Sequence, residues 1–282
     1  MNPGRRKPPR QWPPRSGGFA LLIVLWTLVL IAFLVLHLTA SGHTEIRIAD
    51  NLVDNAVTGA AADGAITEAI FNLSSPQPDQ RWPLDGAAHL LTIGNTRVVV
   101  RLENEAARIN PNLASPVLLE ALLRAVGSDP DTARRVAAAI ADWVGTSQNA
   151  QPQAALLADY QAAGLNYGPP GSPAETLGEL GRVLGMTPEL LAKLRPHLTL
   201  FGPADPDPAT TDPVVAAALA QVSQQNQNGA PVNADQQDVQ TARIIATALG
   251  PGNARASRAA IVRIGASLPE GYVVLAWGNR VD

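Results

Sequence analysis

The chain has 282 residues, 46 % of them hydrophobic and 16 % charged, with no cysteine and a formal net charge of −3. That length and apolar content suit one or two cored units and exclude a wholly disordered chain. The missing cysteines exclude a disulfide scaffold, a thiolate zinc site and a cysteine nucleophile, and the charge excludes a broad basic surface for nucleic acid.

The average charge hides an asymmetry at the start. Residues 1–18 hold Arg5, Arg6, Lys7, Arg10 and Arg15 and no acid; without them 16 cations face 24 acids, or −8. From Phe19 to Leu38 run 20 residues with no acid, Lys or Arg. At ~1.5 Å rise per residue, about 20 apolar residues cross a bilayer. Cations before the span and none just after it predict a cytoplasmic N-terminus, with everything after about residue 42 outside the cytoplasm.

Three readings of this segment compete. A conventional signal peptide would be cut near Leu38-Thr39-Ala40-Ser41-Gly42, but the apolar run is long for that. A plain signal anchor would stay uncut. A prepilin-type leader would be cut between Gly18 and Phe19, before the helix. The residues favour the last: a basic segment ends in Ser16-Gly17-Gly18, and Phe19 opens an unbroken apolar run. Phe19 resembles the methylated first residue of type IV pilin-like proteins. Such subunits mostly carry Glu as their fifth mature residue, where this chain has Ile23. A buried carboxylate is costly unless paired. A filament-tip subunit has no further subunit to supply the pairing amine, so losing the acid suits a tip.

Helical spacing continues through Leu52, Val53, Ala56, Val57, Ala60, Ala61 and Ile66 to about Leu73. A Pro-rich break over residues 74–85 follows. Residues 90–93 and 96–102 flank Gly94-Asn95, a hairpin signal, with Val98, Val100 and Leu102 on one side. Residues 109–201 read as helical. Ser115-Pro116, Asp129-Pro130 and Thr187-Pro188 open helices, Gly127, Gly145 and Gly164 stop them, and Ser172-Pro173-Ala174-Glu175 predicts a capping box for a helix ending at Gly185. Residues 202–213 read as a solvated acidic linker carrying Asp205, Asp207 and Asp212. A short helix over 214–222, a Gln/Asn-rich loop over 223–238 and a helix over 239–249 complete the run. Residues 259–264 and 272–277 form a second predicted hairpin. Two strand pairs thus bracket a helical block.

Catalytic patterns are missing. No glycine spacing precedes Lys7 or Lys193 as a P-loop requires, and Gly265-Ala266-Ser267 lacks the closing glycine of a nucleophile elbow. His37, His43, His89 and His197 share no ligand-like spacing. Trp143 and Trp277 read as core or interface residues. We expect no enzyme.

Several segments together resemble general secretion pathway protein K, the large minor pseudopilin of type II secretion systems. They are the Gly18-Phe19 junction, Ile23, Glu103-Asn104-Glu105, Arg108-Ile109-Asn110-Pro111-Asn112, Ile140-Ala141-Asp142-Trp143, residues 175–186 and Leu194-Arg195-Pro196-His197-Leu198-Thr199. The resemblance implies a tip subunit that acts with minor pseudopilins of the I and J types to initiate or cap the pseudopilus. It also implies a major pseudopilin, prepilin peptidase and an inner-membrane secretion platform as partners. It places the chain as a single-pass inner-membrane protein with a periplasmic C-terminal part. Family members often follow Asp-Trp with acids that help bind calcium. Here Val144-Gly145-Thr146-Ser147-Gln148-Asn149 follows. Calcium takes about six to eight oxygen ligands, so Asp142 alone is no site; no cofactor is expected, with calcium kept as the alternative.

The expected fold is α+β: a pilin-like N-terminal helix and small antiparallel sheet with a large inserted helical subdomain. The expected limits are a leader over 1–18, the long helix over 19–73, a head from 74–108 and 203–282, and an insert over 109–202. Two alternatives stand beside it. One is a minor pilin of a type IV pilus, which shares the leader. The other is a membrane-anchored helix-hairpin-helix nucleic-acid binder, suggested by Glu179-Leu180 and Gly185-Met186 but opposed by the acidic balance.

Overall fold

The computed structural model describes residues 17–75, 77, 80–147, 152–225 and 239–279. The leader up to Ser16 and the Gln/Asn-rich stretch from residue 226 lie outside the described residues. The chain divides into two compact units, Met1–Asp54 and Asn55–Asp282. Helix α1 (Gly17–Leu73) contributes to both.

In the first unit, Gly18–His37 forms a 20-residue apolar helix segment with none of it buried. Its only hydroxyl, Thr27, donates to the Val24 carbonyl at 2.9 Å. That bond satisfies a hydroxyl that a bilayer would otherwise penalise.

The second unit is an α+β body. Among the described residues five strands form one antiparallel meander in the order β1 (Asp85–Ile93), β2 (Thr96–Asn104), β3 (Val239–Leu249), β4 (Arg255–Gly265) and β5 (Tyr272–Gly278). The β1–β2 turn is the predicted Gly94-Asn95, with Gly94 at φ 56°. Val98, Val100 and Leu102 are buried as the alternation requires. They pack with Ala242, Ile244, Ala246 and Val262 against Ala61, Ala62, Ala65, Ile66 and Ala69 of α1. Alanine along that helix face lets the backbone lie close to the sheet. Contact is also tight at the β3–β4 turn, where a Cβ on Gly250 would fall 2.0 Å from Thr58 Oγ1.

Strand β3 corrects the helix expected over residues 239–249. The stretch contains Val239, Thr241, Ile244, Ile245 and Thr247, which suit a pleated surface. Pairing with β2 on one side and β4 on the other satisfies its backbone and overrides the helix-forming alanines. Gly250-Pro251-Gly252, expected as a helix stop, instead lies in the turn to β4.

Between β2 and β3 lies the helical block: α2 (Pro116–Ala125), α3 (Pro130–Val144), α4 (Gln153–Ala162), α5 (Pro188–Leu194) and α6 (Pro213–Gln225). The caps are as read from sequence. Ser115, Asp129 and Thr187 each accept the backbone N–H three residues on, and Gly145 closes α3 at φ 79°. Asp129 is held below the usual carboxylate range, chiefly by the Thr132 backbone N–H it accepts. The expected helix ending at Gly185 is corrected to a 3-10 turn over Leu177–Arg182. Its box is one turn later than predicted, with the Thr176 backbone N–H donating to Glu179 at 2.9 Å. Gly178 and Gly181 inside this turn weaken an α-helix there.

The helical core holds Leu118, Leu119, Leu122, Leu123, Ile140, Trp143, Tyr160 and Leu180, and it recruits Val215 and Ala218 of α6. It therefore extends past residue 202.

Candidate assembly site

Gly18 and Phe19 lie in the first turn of α1, and Phe19 is 72 % exposed. Ile23 lies one turn on and is also exposed, so the helix presents an aliphatic side chain there. Trp26 and Phe33 are exposed on the same segment, and the Phe33 and His37 rings stack at 6.4 Å. This surface has no charge to satisfy. Its chemistry is that of lipid contact or helix packing.

In the second unit the strongest electrostatic feature sits where the chain leaves β2. Glu105 is fully buried, in a 3-10 turn capped by the Asn104 side chain. Its carboxylate takes Arg108 at 3.0 Å, the Arg243 guanidinium of β3 and the Thr199 hydroxyl. Arg108 also reaches Glu103 at 2.5 Å. A buried carboxylate is tolerable only with such partners.

The next residues close a neck. Ile109 N–H donates to the His197 carbonyl and Thr199 N–H to the Ile109 carbonyl, both at 2.9 Å, so entry and exit segments pair in parallel. Buried Asn110 donates to the Gly202 carbonyl at 2.8 Å. Asn112 donates to the Ala174 carbonyl at 2.9 Å and accepts its N–H at 2.8 Å. The Asn-Pro-Asn run thus places two side-chain amides where backbone groups of distant segments need partners.

The reading of residues 202–213 as a solvated linker is corrected in part: Asp205 is exposed, but Asp207 and Asp212 are engaged. Asp207 N–H donates to the Ala106 carbonyl at 2.7 Å, and Thr210 donates to the Ala107 carbonyl at 2.8 Å. Asp212 caps α6 through the Val214 N–H, and its other oxygen lies 2.6 Å from His197 Nδ1. The strap is tied down at Asp207, Thr210 and Asp212, while Pro203, Asp205 and Pro208 remain exposed.

Other singled-out residues have structural surroundings. His89 stacks on Trp82 at 4.1 Å, and Trp143 packs with Tyr160 and Tyr167. Burial raises the Tyr160 phenol above its ordinary value, while its oxygen accepts the Leu184 N–H at 3.0 Å. Trp277 is half-exposed and donates to Asp63 at 3.2 Å, beside Arg258. Asp142 Oδ1 accepts from Ser147 at 2.5 Å. Among the described residues no group of three or more His, Cys, Asp or Glu could hold a metal ion. One carboxylate already engaged by a hydroxyl does not fit calcium's demand for several hard oxygens.

A family model described as Type II secretion system, protein K, matches residues 95–203, which run from the β1–β2 turn through the neck. Over that stretch the chain is similar to the protein K family. The matched stretch contains Glu103, Glu105, Arg108, Asn110 and Asn112, so the segment that carries the sequence resemblance is the one that builds the buried joint. A solved structure entitled the GspK-GspI-GspJ complex from the enterotoxigenic Escherichia coli type 2 secretion system is similar in fold. It is 15 % identical, with a TM-score of 0.54, covering 78 % of this chain and 93 % of that one. No curated protein matched the chain.

Sequence reasoning found Glu105 only as part of a familiar segment, not as a buried charge. Its signal was an acid followed by Arg at the third position and then Asn-Pro-Asn, with no hydrophobic period to explain it. Arg243, its partner 138 residues away, carried no local signal.

Proposed function

We propose that this chain caps the tip of a type II secretion pseudopilus, initiating its assembly with minor pseudopilins of the I and J types. The observation that carries this reading is the helical block between β2 and β3. A body widened by five helices is too bulky to repeat along a filament shaft. The uncharged Ile23 supports it, because a terminal subunit needs no acid to meet a neighbour's N-terminal amine. The similarity to a solved complex titled for proteins K, I and J supports the choice of partners.

In this reading the leader is cut between Gly18 and Phe19 and Phe19 is methylated. The helix from Phe19 anchors the chain once in the inner membrane, with the leader in the cytoplasm and the body in the periplasm. The chain then stacks its exposed aliphatic helix face with partner helices. It catalyses nothing and needs no resident metal.

The test is the intact mass and N-terminal peptide of the membrane-extracted chain, made with and without prepilin peptidase and with I and J subunits co-expressed. Methylated Phe19 only with the peptidase, and a three-subunit complex of equal stoichiometry, support the proposal. An uncut chain in both cells overturns it and leaves a signal anchor. A start near Gly42 leaves an ordinary exported protein. A processed chain that assembles only with type IV pilins moves it to a pilus.

A further inference from the structure

The sheet has two faces, and α1 covers only one. The register places Leu90, Val99, Thr247 and Ser257 in one row of the other face, and Thr92, Arg97, Leu249 and Arg255 in the next. These rows line an open groove of about 550 Å³. Leu90 is 80 % exposed on it, in an ordered strand. A large aliphatic side chain held in water this way marks a contact surface when its neighbours are apolar too, as Val99 and Leu249 are.

The charge on this face is one-sided. Of the six strand arginines, Arg258 lies on the α1 side paired with Asp63 and Arg243 pairs with buried Glu105, which leaves Arg97, Arg101, Arg255 and Arg263 on this face against Asp85 and Glu103, in a chain whose total is −3. Arg97, Arg101, Arg255 and Arg263 are all exposed. Glu103 is engaged by Arg108, and Arg97 and Arg255 make no ion pair among the described residues. Neither of the two rows contains an acid. The surface combines an aliphatic groove with two unmatched guanidinium groups, each able to grip a carboxylate with two hydrogen bonds.

We propose that this groove docks a protein segment presenting an aliphatic side chain flanked by carboxylates. The aliphatic group enters between Leu90, Val99 and Leu249, and the carboxylates meet Arg97 and Arg255. Charge complementarity selects the partner, because a basic or uncharged segment would leave both arginines unpaired. The inference stands independently of the tip assignment.

The experiment uses the full chain in non-ionic detergent. The probe is a fluorescent decapeptide alternating leucine with Asp or Glu, photo-leucine at its centre; Asn/Gln and Lys versions serve as controls. Saturable binding of the acidic peptide is expected, with cross-links at Leu90, Val99, Thr247 or Leu249. R97E/R255E should weaken it at least about tenfold, because like charges then face each other. Both positions are exposed, and an unchanged circular dichroism melt shows that the variant folds. Equal binding of the Asn/Gln or Lys peptide, cross-links elsewhere, or an unaffected double variant overturns the proposal. So does a result in which only phosphatidylserine vesicles bind and R97E/R255E abolishes it, since the face then reads lipid. Concentration-dependent dimers lost in R97E/R255E, without peptide binding, would overturn it in favour of a second copy.

Discussion

The helical core is filled by Leu118, Leu119, Leu122, Leu123, Trp143 and Tyr160, whereas the layer between α1 and the sheet is filled by Ala61, Ala62, Ala65, Ala69, Ala242 and Ala246 with β-branched partners. The first contains large side chains on short helices whose caps sit beside them in sequence. The second brings small side chains from a long helix against strands that are more than 100 residues apart. A leucine core is vulnerable to truncation, because each side chain fills a large volume. An alanine layer is vulnerable to enlargement, because its stability depends on close backbone approach.

The joint between the two regions should be the most sensitive point. Glu105→Ala leaves Arg108 and Arg243 without their shared carboxylate, and breaking a buried pair costs about 3–5 kcal/mol. Urea unfolding of the full chain in detergent measures it; a cost below about 1 kcal/mol would mean that water reaches the joint. Next, Leu122→Ala in the helical core should cost about 2–5 kcal/mol. Ala65→Leu in the alanine layer should cost about 1–3 kcal/mol despite adding apolar surface. If Ala65→Leu instead stabilises the protein, the layer has slack and the contrast fails.

Smaller effects sharpen the account of the helical region. Ser115→Ala removes the hydroxyl that accepts the Leu118 N–H and should cost about 1 kcal/mol. The same change at an uncapped position such as Ser223 should cost less. Tyr160 has its pKa raised by burial, so its contribution is complete below its unfolded value of about 10 and is lost as pH rises through the folded value. Tyr160→Phe should flatten the alkaline arm of a stability–pH curve above about pH 10 and leave the acid arm unchanged. Asp129 runs the other way: its lowered pKa gives a contribution present above its unfolded value of about 3.9 and lost as pH falls. An acid arm identical in Asp129→Asn would remove that cap from the account.

The legible parts share one property. Ser115-Pro116, Asp129-Pro130 and Gly145 act within a few residues of themselves, so their geometry is written locally. The 20-residue apolar helix is legible for the same reason: its length and local composition set it. The hairpin at Gly94 and the alternation of Val98, Val100 and Leu102 belong in this group.

The remainder depended on partners far away in the chain. Val239–Leu249 contains both helix and strand formers, and only pairing with β2 and β4 decides between them. Residues 202–213 look like a free linker until Ala106, Ala107 and His197 supply hydrogen bonds that anchor them. Glu105 looks like any surface acid until Arg243 and Thr199 arrive from 138 and 94 residues away. Sequence by itself determined the apolar helix, the caps and the first hairpin, because each is governed by neighbours along the chain. Tertiary structure alone decided strand β3, the strap and the buried joint, because desolvation gives these groups a single arrangement only after distant segments have met.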